Sequence, residues 1–196
     1  MTGNEGIFWT FSAGTALTVV AGLLATRVRR DWLSSLPMAH VAASVLVALF
    51  GWEGLVHLPG TIQFYTTGVA GIPDPAGVEA YQVFVVASAA FVIAAVLAVY
   101  GIPRHRSWGI VLGIGVAGTR ALVAVASSVN LFAINGDPFG PDALAWNVLI
   151  LIAERVVPAL AAIVLLVWPL LHGSKAEAPP VETVDWSTDP SPEAGR

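Results

Sequence analysis

The chain has 196 residues, 56% of them hydrophobic and 11% charged. Soluble domains carry about 25% charged residues, so this composition, with a mean hydropathy of +0.77, points to lipid surroundings. There is no cysteine, which excludes disulfides, thiolate metal sites, iron–sulfur clusters and cysteine nucleophiles; Lys175 lies outside every apolar stretch, which excludes a Schiff-base lysine inside a helix, and no basic patch supports nucleic-acid binding.

In chain order, the first apolar run covers residues 7–26. Arg27, Arg29 and Arg30 follow it and no Lys or Arg precedes it, so it is expected to be a membrane span and not a cleaved leader. The second, 36–58, opens on Ser34 and Ser35 with Pro37 behind them, a cap followed by an early proline. The third, 78–100, stops at Gly101 and Pro103. The fourth, 109–133, carries Gly109, Gly113 and Gly118, which permit close helix approach. The fifth, 143–171, can be capped by Asp142 and should kink at Pro158, which cannot donate to the carbonyl of Glu154. Each run meets the roughly 20 residues a helix needs to cross hydrocarbon, and none alternates with period two as a strand would. Residues 173–196, with their prolines and acids, are expected to form a disordered acidic cytoplasmic tail.

The connections set an expected orientation. The first holds the three arginines and the third holds Arg104 and Arg106, whereas residues 59–77 and 134–142 hold no Lys or Arg but contain Asp74, Asp137 and Asp142. The positive-inside rule then puts the N-terminus outside and the C-terminus in the cytoplasm. Trp32, Tyr100, Trp108 and Trp168 fall at the inner boundary and Trp9, Tyr65, Tyr81 and Trp146 at the outer one, as an aromatic belt requires. The expected fold is all-α: a multi-pass protein of the cell membrane, a bundle of five transmembrane helices.

Ionisable groups inside hydrocarbon cost roughly 2.5 kcal/mol or more each, so each needs a partner or a purpose. Glu53, Arg120, Glu154 and Arg155 sit well inside the runs; His57, Glu79, Gln82, Asn130 and Asn147 lie nearer helix ends. With the inferred orientation they gather in the outer half, which predicts a polar cavity there, closed below near Arg120 and Glu154, with residues 59–77 above it as a lid. Glu53 and His57 are one turn apart on one face; Arg120 and Ser127 share another, and Asn147, Glu154 and Pro158 form a stripe. One reading makes Glu53 and His57 a proton donor–acceptor pair. Another makes Arg120 and Arg155, balanced by Glu53 and Glu154, an ion-pair network that sets helix register. Trp52, Tyr65 and Trp146 fit the belt or a cation-stabilising wall, and His40, His105 and His172 read as interfacial. Glu53, His57 and Glu79 offer a generic metal-ligand set, and no metal or cofactor is expected.

The pair Glu53-Gly-Leu-Val-His57 on the second helix, Glu79 at the start of the third, the basic link Pro103-Arg104-His105-Arg106 and Pro158 on the last helix resemble, in layout over residues 36–172, the EXPERA group, which includes the emopamil-binding sterol isomerase. Trp52-Glu53 is similar to a Trp-Glu pair in membrane-bound terpene cyclases. These likenesses imply cofactor-free acid–base isomerisation or cyclisation of an isoprenoid or sterol-like lipid. Glu53 would protonate an alkene, Glu154 and aromatic faces would steady the cation, and His57 or Glu79 would remove a proton. Trp52, Tyr65, Glu79, Arg120, Asn130, Trp146, Asn147 and Arg155 would hold the substrate. Two other readings stay open: a proton-coupled small-solute transporter relaying charge through Glu53, Arg120 and Glu154, and a non-catalytic lipid-binding or assembly subunit. The expected partner is a membrane lipid or hydrophobic small molecule, with a homo-oligomer or a membrane-complex partner compatible with any of the three.

Overall fold

A computed structural model of the chain describes residues 5–27, 37–67, 75–134, 148–150 and 152–172. These residues are helical apart from short turns, and five helices are each long and apolar enough to cross a membrane. Four are α1 (Glu5–Ala25), α2 (Met38–Thr67), α3 (Pro75–Gly101) and α4 (Ser107–Ile134), and the fifth span, Val148–His172, ends in α5 (Val157–His172). A 3₁₀ turn at Ile102–Arg104 joins α3 to α4, and a π-helical turn at Ile152–Val156 leads into α5. Around the bundle the order is α1, α3, α2, α5, α4, and α3 also meets α4 across the middle.

Side chains are distributed inside-out relative to a soluble protein. The buried core is dominated by small residues, among them Ala43, Ala80, Ala94, Ala95, Ala98, Ala117, Ala159 and Ala162, whereas Leu17, Val86 and Leu171 are each about 70% exposed. Water drives leucines inward; lipid does not, and helices in lipid gain most by bringing small residues together so that backbones touch. The α1–α4 seam is built this way. Gly14 faces Thr119, Gly115 faces Thr18, and Gly22 faces Leu112, so each bulky residue fills the gap a glycine leaves on the antiparallel partner. Thr18 Oγ1 donates to the Gly14 carbonyl at 2.8 Å and lies 3.3 Å from Thr119 Oγ1.

One end of the bundle carries Arg27, Arg104 and Arg106 and is tightly shut. There the backbones of Gly101 and Gly109 meet, and Ile102, Ile110 and Leu166 are buried around them. His105 closes the 3₁₀ turn with a left-handed backbone at φ 54°, its N–H donating to the Ile102 carbonyl at 3.0 Å. The Ser107 hydroxyl donates to the Ala25 carbonyl at 3.0 Å, fixing the start of α4 to the end of α1. His40 departs from its expected interfacial place. It is fully buried, with Nε2 3.1 Å from the Leu166 carbonyl, and it pins α2 to α5.

Three further expectations change. α2 does not end at Leu58; it runs through Pro59 to Thr67, so most of the expected lid is helix. Pro59 removes one backbone donor, but Tyr81 donates from its hydroxyl to the Thr61 carbonyl at 2.9 Å and packs its ring on Phe64 at 5.0 Å, which holds the extra turns against α3. The distortion expected at Pro158 takes the form of the π-turn directly before it, where the widened spiral absorbs the missing donor. Of the three α4 glycines expected to permit close approach, Gly109 and Gly113 make close contacts, while Gly118 faces open space. The cap at Asp142, the remainder of the lid and the tail at 173–196 lie outside the described residues.

A Cβ at Gly109 would sit 2.6 Å from Gly101 Cα, against backbone that cannot swing away. Gly109→Ala is therefore expected to destabilise the fold by about 1–3 kcal/mol, while Gly118→Ala should be neutral or stabilising by up to about 1 kcal/mol. Thermal melting of both variants in mild detergent checks this, and equal melting points would contradict the close approach.

Candidate functional site

At the end opposite the arginines the bundle opens into a cavity of about 320 Å³. Helical spacing brings its polar lining together. Glu53 and His57, one turn apart on α2, line it jointly, as do Arg120 and Ser127, two turns apart on α4. Arg155 joins them from the π-turn. The apolar wall comes from α1 and α3. Phe8 and Phe11 interlock with Phe84 and Phe91, the ring centroids of neighbouring pairs lying 4.8–5.3 Å apart. Phe50 completes the floor.

The centre of the site is an ion pair across α2 and α4. Arg120 forks onto Glu53, with Nη1 donating to Oε2 and Nη2 donating to Oε1, the latter at 3.0 Å. A planar guanidinium and a carboxylate match in this bidentate geometry, which sets orientation as well as attraction. Arg120 is the more buried partner, at 14% side-chain exposure against 49% for Glu53. Its guanidinium carbon stands 4.5 Å from the centre of the Phe50 ring, one turn before Glu53. The buried Nε has no hydrogen-bond partner among the described residues. Among those residues this is the one ion pair; Arg155 has none. The lining thus holds two guanidinium groups against one carboxylate.

The expected site residues divide accordingly. Glu53, His57, Arg120 and Arg155 converge on the cavity. Glu154 and Arg155 are both exposed, and of these two neighbours on the π-turn only Arg155 lines the cavity. Trp52 is 63% exposed on the bundle surface and Glu79 is exposed; neither lines the cavity. Gln82 borders a separate apolar hollow with Ser12 and Thr15. The side chains of Tyr65 and Asn130, and all of Trp146 and Asn147, lie outside the described residues. Glu53, His57 and Glu79 do not assemble a metal set, since no three His, Asp or Glu side chains gather among the described residues. The four-phenylalanine wall was not anticipated, although Phe8 and Phe11 at i, i+3 and Phe84 and Phe91 at i, i+7 each mark one helix face.

No protein-family model matches the chain, and neither a curated protein nor a solved structure does. What the site can do therefore rests on its own geometry: an aromatic pocket for an apolar body, closed at one side by a hydrogen-bonded ion pair, a histidine and a second arginine.

If the fork couples α2 to α4, removing either member strands the other. Glu53→Gln and Arg120→Met should each destabilise the protein, and the double variant should cost less than their sum, with a coupling of about 1–3 kcal/mol. Strict additivity in a double-mutant cycle would contradict the pairing.

Proposed function

We propose that this chain is an integral protein of the cell membrane that holds an amphipathic, lipid-like molecule in the cavity between its helices. Five apolar helices and an outward-facing leucine and valine surface support insertion. The arginines at the closed end support the orientation with the N-terminus outside and the C-terminus in the cytoplasm, which sets the cavity in the outer half of the bilayer.

One observation carries the reading: four phenylalanines and the Glu53–Arg120 pair share a single cavity of about 320 Å³, within the size range of small-molecule sites. A water-soluble solute gains little from a phenyl wall, and a plain hydrocarbon tail gains nothing from buried charges. A molecule with one apolar and one polar end uses both. Ser127→Phe would fill the pocket without touching the ion pair. Lipid mass spectrometry of the protein purified in mild detergent should recover one amphiphile class with the native chain and lose it with this variant. Equal recovery from both would count against the site.

A second reading is favoured by His57, whose ring lines the cavity with no hydrogen bond to a described residue. It keeps the isomerase or cyclase chemistry of an isoprenoid-like substrate but moves the proton-handling role. Glu53 is engaged as an acceptor on both oxygens, so His57 is the group left free to carry a proton. His57→Ala should then retain the bound amphiphile and lose its conversion; conversion that persists would eliminate this chemistry.

A further inference from the structure

The geometry points to an anionic head group on the amphiphile, a carboxylate or phosphate bound by Arg155. This rests on the proposed amphiphile site and adds the charge of its ligand. Arg120 spends its two terminal nitrogens on Glu53, which among the described residues leaves Arg155 as the cavity's one positive charge without a carboxylate. Glu154, the acid nearest in sequence, is not in the lining. Three donors face or border the cavity with no hydrogen-bond partner among the described residues: the Arg155 guanidinium, the Nε of Arg120, which is itself fully buried, and the hydroxyl of Ser127.

Arg155 borders the cavity and is itself exposed, so its guanidinium is open to an anion held there. A guanidinium is shaped for planar or tetrahedral oxyanions, which it can grip with two parallel N–H bonds. The phenylalanines line the same cavity as these donors, so an acyl or isoprenoid chain attached to the oxyanion would lie along Phe84 and Phe91. Arg155 sits in the π-turn ahead of Pro158, where the wider spiral sets residue directions different from those of a regular helix.

The test is native mass spectrometry of the full chain released from mild detergent, with paired ligands of matched chains: oleate against oleyl alcohol, and phosphatidylglycerol against phosphatidylcholine. Native protein should retain at least one anionic member over its uncharged or zwitterionic partner by about tenfold, the factor that one charge-assisted hydrogen bond supplies. Retention of oleate alone identifies a free acid, and of phosphatidylglycerol alone a bilayer lipid head group. Inorganic phosphate alone should leave no adduct. In Arg155→Gln the preference should fall to near unity, and in Arg155→Lys it should partly survive. Should the glutamine variant fail to fold, the native competition and the lysine variant decide. Equal retention of charged and uncharged partners, or a preference undiminished in Arg155→Gln, would overturn the anionic ligand while leaving the amphiphile site standing. Loss of every amphiphile, charged or not, would overturn the site itself.

Discussion

A carboxylate and a guanidinium carried into a bundle of apolar helices each need a partner, and in this chain each is the other's. Glu53 comes from α2 and Arg120 from α4, so the cost of placing two charges among apolar helices is offset only when those helices sit at one rotation and one depth. Much else is arranged around that requirement. Phe50 lies under the guanidinium, Gly54 keeps the adjacent face of α2 close to Phe91 and Val92, and His57 and Ser127 follow at helical spacing into the same cavity.

The two ends of the bundle solve different problems. At the arginine-bearing end, glycine, alanine and threonine let the helices touch, and His40 spans from α2 to α5 where the side chains become too small to fill the gap. At the other end the same helices are held apart by phenylalanines and by the extended α2, and the space left between them is the cavity. A closed end and an open end follow from where the sequence puts its small and its large residues, with no need for a separate domain.

The five long apolar helices were legible in the sequence because length and hydropathy are local properties, and Glu53 was already a candidate partner for Arg120 or Arg155. The choice between those two arginines was not legible. It depends on how far each helix is rotated, and a π-turn changes that rotation without leaving a mark other than the proline after it. For the same reason Glu154 and Arg155, both expected at the cavity, part company, and only Arg155 lines it. The end of α2 is not legible locally, because Pro59-Gly60 reads as a stop signal, whereas contacts with Tyr81 from another helix hold the segment helical. The phenylalanine wall was hidden in runs that are apolar throughout, where period alone does not separate a residue facing lipid from one facing a cavity.

The contact on which these arguments depend can be measured in a bilayer. Solid-state NMR dipolar recoupling between ¹⁵N-labelled arginine side chains and ¹³C-labelled glutamate carboxyl groups, with Arg120→Met to assign the signal, reads the distance without a crystal. A strong coupling at hydrogen-bonding distance, lost in the variant, is the predicted result. Spectra of folded protein in which no glutamate carboxyl couples to Arg120 would contradict the account.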